Sequence, residues 1–203
     1  MVNMLNTSNY NLQESLAQFI SDITTAPLVA IPLFGVINYF LKEPNFYLIT
    51  FLSILFAGLL PIIIFLFWAK TKKIELDFPK KEDRAYPLLM VIITYFVGVI
   101  VLYAVHAPSI VTVLMFCYFS NTLVVLLISN YWKISIHSLG VAGPSASLIY
   151  VFGGIGLFFA LIIPLVMWSR IYLKRHTLIQ VTVGALLGFF LTWIQLSFLV
   201  PLL

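Results

Sequence analysis

Two of the three histidines in the chain stand beside cations and hydroxyls at the margins of apolar stretches. His137 follows Lys133 and Ser135, and His176 follows Ser169, Arg170, Lys174 and Arg175. An imidazole can attack as a nucleophile or carry a proton near neutral pH. An arginine stays charged and offers paired N–H donors that fit phosphoryl oxygens. It also stabilises the extra charge of a five-coordinate transition state more than the ground state. Two histidines with several cations therefore point to transfer of an anionic group, phosphate foremost. The third histidine, His106, has no such neighbours and reads as a turn residue.

No carboxylate cluster accompanies these histidines, so neither a metal nor another cofactor is expected. The single cysteine, Cys117, lies in an apolar run, which excludes an intramolecular disulfide and a cysteine-based metal site. The aromatic residues scatter along the apolar stretches and name no cofactor either.

The elements that must position these side chains are set by composition. Hydrophobic residues make up 62% of the 203 residues and charged ones 9%, with a mean hydropathy of +1.09. That is too little polar surface to coat a soluble globule, so lipid must be part of the solvent. A crossing needs about 20 apolar residues, which allows six or seven transmembrane helices and almost no extramembrane domain. The fold class expected is all-α: a polytopic membrane helix bundle forming one domain over residues 1–203, with its active site at one membrane face. The net charge of +4 does not indicate nucleic acid, because the cations flank apolar spans rather than lining a soluble face.

Residues 1–25 lack a basic start and contain Glu14 and Asp22, unlike a cleaved signal peptide. Leu12, Leu16, Phe19 and Ile20 recur at helical spacing, which suits a helix lying at the interface. Spans follow at residues 26–41, 46–69, 87–105 and 109–131, and a last one at 178–203. The stretch 70–86 is strongly charged and reads as a surface loop, and 169–176 reads as a second polar surface segment. The apolar stretch 138–168 is too long for one crossing and short for two. Two helices of about 15 residues would rise only about 23 Å each, which longer neighbours can enclose, and Gly153-Gly154 offers the hairpin.

Seven crossings result, and they place Arg84, His137, Arg170 and His176 on one face, with His106 on the other. A single crossing over 138–168 would instead leave the two histidines about 30 Å apart. Ten of the eleven Lys and Arg residues fall on the same face as the histidines, so a multi-pass plasma-membrane protein with a cytoplasmic active site is expected.

At this point the residues resemble a known family. Ser169-Arg170, five residues, then His176 reproduces the third signature of the type 2 phosphatidic acid phosphatase superfamily, which includes lipid phosphatases and vanadium haloperoxidases. Its second signature, Pro-Ser-Gly-His, resembles Ile134-Ser135-Ile136-His137, which keeps the serine and histidine. Its first, a lysine followed seven residues later by Arg-Pro, is matched by Arg84, with Asp77 at the lysine position and Lys80 or Lys81 able to substitute. The segment from Ser169 to Val181 is also similar to dolichyl-diphosphate phosphatases, including Gln180 where most relatives carry aspartate.

The resemblance implies that His176 attacks phosphorus to give a phosphohistidine, while His137 protonates the leaving group and then activates water. Arg84, Arg170, Ser135 and a lysine, Lys80, Lys81 or Lys133, would hold the phosphoryl oxygens. Gln180 would orient His176 without supplying the charge of an aspartate. His176, Gln180, Gly184 and Gly188 stand four apart, a stripe passing from chemistry to packing. The resulting expectation is a metal-independent lipid phosphatase whose partners are a lipid phosphate substrate and membrane lipids, with a polyprenyl diphosphate preferred. Alternatives are phosphatidate or phosphatidylglycerophosphate hydrolysis, and phosphotransfer to an alcohol. A small transporter or channel is the non-enzyme reading, against which charges are nearly absent from span centres.

Overall fold

Long apolar runs with no water to satisfy their backbone can cross a bilayer only as helices or closed barrels, and this chain takes the first route. The computed structural model describes residues 12–73 and 85–203, and these contain helices and turns but no strand. Eight helices organise them: α1 (Leu12–Ile23), α2 (Ala26–Leu41), α3 (Phe46–Lys72), α4 (Ala85–Ala104), α5 (Ser109–Ser129), α6 (Ile136–Phe152), α7 (Ile162–Tyr172) and α8 (Leu178–Leu199). Short helical turns at Gly153–Gly156 and Leu157–Ala160 join α6 to α7. Five stretches are long and apolar enough to cross a membrane, and α1 with α2, bent by 60°, adds a sixth by the same measure. Exposed side chains on the long helices include Phe51, Ile63, Ile93, Ile100, Leu127 and Ile194, an outer surface suited to hydrocarbon. The expected class, a polytopic helical membrane protein, is the one observed.

α3 is continuous but not regular. Leu55–Leu59 forms a π turn just before Pro61. Proline has no N–H to return to the preceding turn, and the wider turn absorbs the mismatch. At this place Gly58 lets α3 approach α2, since a β-carbon there would come within 2.7 Å of Ile31.

The direction of each helix follows from its contacts. A β-carbon on Gly184 would meet the carbonyl oxygen of Ser135 at 2.6 Å, one on Gly188 that of Leu139 at 2.5 Å, and one on Gly143 the hydroxyl of Thr192 at 2.9 Å. The partners rise together along both helices, so α6 and α8 are parallel neighbours whose backbones touch through glycine. α2 also runs with α6, because Ala26 packs on Gly140 and the rings of Phe40 and Phe152 meet at 5.0 Å. α4 and α5 are antiparallel, as the ring pairs Tyr95–Tyr118 and Phe96–Phe119 require, both at 5.4 Å.

Two parallel helices need a return path between them, and the stretch 138–168 provides it. Gly153 has a φ of +59°, which an L side chain rarely adopts, and the chain reverses there. Ser145 Oγ then donates to the carbonyl of Phe159 at 3.3 Å, whereas fourteen residues of unbroken helix would separate the two by about 21 Å. The hairpin expected at Gly153-Gly154 is present. The bundle thus has a far end, at Lys42, His106 and Gly153, and an opposite end, at Ala26, Lys72, Ala85, Ser129, His137 and Tyr172. Trp68 and Tyr86 stack at 4.7 Å there, so the residues on either side of 74–84 meet at the second end.

A chain of uncharged polar side chains ties α5 to α8 midway. Ser120 donates to Gln195 at 2.9 Å, Gln195 to Asn121 at 3.1 Å, and Asn121 to Thr192 at 2.9 Å. Such bonds stabilise membrane helices by on the order of 0.5–2 kcal/mol each and fix rotation as well as distance.

Candidate active site

The segment from α7 to α8 is built around one carbonyl. Arg170 C=O accepts N–H bonds from both Arg175, at 3.0 Å, and His176, at 3.2 Å. Lys174 makes this possible by adopting the left-handed conformation, φ +54°, so the chain turns back over the helix end. The five-residue spacing between Arg170 and His176 is therefore the length of this turn.

His176 is buried, and its Nδ1 lies 3.1 Å from Oε1 of Gln180. The same oxygen accepts the backbone N–H of Thr177 at 3.1 Å, while the Thr177 hydroxyl accepts the N–H of Gln180. This is a capping box, and it fixes chemistry as well as the helix start. A backbone N–H can only donate, so the amide atom facing it is oxygen. Nδ1 of a neutral His176 must then donate to that oxygen too, which puts the ring lone pair on Nε2. A nucleophilic Nε2 is what attack on phosphorus needs. His176 precedes the helix, with Thr177 as its cap, so it does not share the α8 stripe proposed from spacing. Gln180 still reaches it through the cap.

Ser135 sits against this cap. Its N–H donates to the carbonyl of Gln180 at 3.3 Å, and its hydroxyl caps α6 by accepting from Ser138 N at 3.3 Å and meeting Ser138 Oγ at 2.9 Å. Ser135 is wholly buried, and its hydroxyl caps the start of α6 beside the His176 cap. His137, half-buried, follows two residues later in the first turn of α6, with half-buried Lys133 two residues before Ser135. His137 and His176 thus flank the contact between the α6 and α8 starts, at one end of the bundle.

Arg170 departs from the expectation of a polar surface segment. Ser169 and Arg170 are buried in the last turns of α7 and covered by α1. Ser169 Oγ donates to the carbonyl of Ala17 at 2.7 Å, and Arg170 Nη1 to the hydroxyl of Ser21 at 2.5 Å. The cause is the small face of α1, where Ala17 and Ser21 leave room for the guanidinium. Ser21 was missed because an amphipathic helix is read from its apolar stripe. Its signal was the run of small residues Ala17, Ser21 and Thr24 at helical spacing.

Arg84, Lys80 and Lys81 lie outside the described residues. The described Lys73 and Ala85 on either side of their segment are at the end that holds the histidines. His106, exposed and with a φ of +54°, makes a turn at the far end, as expected. Among the described residues no group of three or more His, Cys, Asp or Glu side chains gathers as a metal site would require.

Compared with known proteins, the chain matches no family model, no curated protein and no solved structure.

Proposed function

We propose that the chain is a membrane phosphatase that hydrolyses a lipid phosphate or diphosphate, preferably a polyprenyl diphosphate, through a phosphohistidine on His176. One observation carries the reading: Arg170 and His176 are locked into one turn, and Gln180 holds the imidazole as the tautomer with its lone pair on Nε2. In the first step Nε2 attacks phosphorus in line with the departing oxygen. The P–O bond breaks, and His137 gives its proton to the leaving alcohol or phosphate. In the second step His137 takes a proton from water, hydroxide attacks phosphorus and the P–N bond breaks, restoring both imidazoles. Arg170, with Arg84 and a lysine among Lys80, Lys81 and Lys133, stabilises the equatorial oxygens. Gln180 accepts a hydrogen bond from Nδ1–H throughout but does not offset the positive charge of the phosphohistidine ring.

The proposed setting is the cytoplasmic face of the plasma membrane, supported by the cations Lys70, Lys72, Lys73, Lys174 and Arg175 at the site end. The hydrogen-bonded series from Ser120 to Thr192 would be the starting point for a transporter reading. Its side chains satisfy one another, however, as an interhelical clamp requires. Phosphate release from a panel of polyprenyl diphosphates, phosphatidate and phosphatidylglycerophosphate tests the proposal. The parent releases phosphate from at least one, and His176→Ala is slower by at least about 10³-fold; equal release by both would remove the assignment.

A further inference from the structure

α1 has three faces. Ala17 and Ser21, with Thr24 in the turn that follows, are buried against the protein; Leu12, Leu16, Phe19 and Ile23 form an exposed apolar stripe; Glu14, Gln18 and Asp22 form an exposed polar one. Exposure of 80% for Leu12 and 60% for Phe19 is untenable in water along a continuous stripe, but it suits a helix lying between headgroups and acyl chains. A 60° bend separates α1 from α2, and α1 packs against α7. The buried face then meets Ser169 and Arg170, the one through the Ala17 carbonyl and the other through the Ser21 hydroxyl.

The geometry points to Ser21 as a positioning residue for the anion site, held by an α1 that is seated in the lipid interface and aims the Arg170 guanidinium at phosphate. This rests on the reading of Arg170 as a phosphate ligand. Arginine has a long side chain with many rotamers, and ordering it before the anion arrives removes that cost from binding. Ser21 accepts one of its five donors, and because the acceptor is neutral it does not compete with phosphate for the charge. A carboxylate at the same place would hold the arginine and also repel the substrate. The lipid seat of α1 keeps Ser21 at the depth where a lipid headgroup enters.

Orthovanadate, a phosphate analogue that takes the five-coordinate geometry, tests this without needing the natural substrate. Binding to the full chain in detergent micelles is measured by calorimetry, beside thermal unfolding. Ser21→Ala should weaken vanadate binding about tenfold, and Ser21→Thr, which keeps the hydroxyl, should stay within about threefold of the parent. A purely structural Ser21 would lower the unfolding temperature and leave affinity unchanged. Vanadate binding by Ser21→Ala equal to the parent's, or no vanadate binding by the parent, overturns the inference. If Ser21→Ala does not fold, Ser21→Cys, similar in size but a weak acceptor, is held to the same tenfold loss. A parent that binds vanadate in a Ser21-dependent way but releases no phosphate from any lipid would sink the hydrolase reading and leave this one standing.

Discussion

Gln180 serves two donors with one oxygen, the Thr177 N–H and His176 Nδ1, so the residue that starts α8 also sets the tautomer of the proposed nucleophile. Gln180→Glu keeps that geometry and adds a negative charge. The charge favours the protonated imidazole, whereas the nucleophile must be unprotonated, so activity is lost at a higher pH on the acid side. The acid limb of the pH–rate profile should move up by about one unit while the unfolding temperature does not fall. An unmoved limb would show that Gln180 does not act on His176. At this scale the sequence was partly legible. His137, Arg170 and His176 stand out because charge and imidazole are rare in so apolar a chain. The hydroxyls were not separable in the same way, since serine caps helices, bonds backbone or contacts ligand with the same side chain. Ser135 caps α6, and Ser21, in no signature, holds Arg170.

The elements fix the spacing of the site. The turn after α7 depends on Lys174 in the left-handed region, which costs an L side chain about 1 kcal/mol. Lys174→Gly should raise stability in thermal unfolding by up to about 1 kcal/mol and keep activity. Lys174→Val, branched at the β-carbon, should lower stability by at least about 1 kcal/mol and reduce turnover, because the N–H groups of Arg175 and His176 lose their hold on Arg170. Equal stability of the glycine and valine variants would refute this account of the turn. Helix positions were readable from apolar run lengths, and observed boundaries lie within a few residues of expectation. The stretch 138–168 was ambiguous by length alone; the parallel contact of α6 and α8 through Gly184 and Gly188 settles it, and that is a tertiary fact. The π turn at Leu55–Leu59 had only Pro61 as a signal, and proline specifies a disturbance without specifying its form.

For the whole molecule, the parity of the passes gathers His137, His176, Arg170 and most described cations at one end and leaves Lys42 and His106 at the other. Cys117 is buried, so added cysteines report sidedness against a quiet background. In sealed cells a membrane-impermeant thiol reagent should label Lys42→Cys and spare Lys72→Cys. The reverse pattern would overturn the proposed cytoplasmic orientation, and labelling of both would overturn the parity. Composition made the membrane class legible at once, but orientation rests on charge bias and chemistry on a few side chains. The account as a whole depends on a covalent bond from His176 to phosphorus. It is tested most directly by briefly reacting the purified protein with a polyprenyl diphosphate carrying radiolabel in its terminal phosphate, quenching in alkali and mapping the labelled peptide. The account predicts an acid-labile, alkali-stable label on the peptide containing His176, and none in His176→Ala. Label retained in His176→Ala, or phosphate released with no labelled protein at any time, would contradict it.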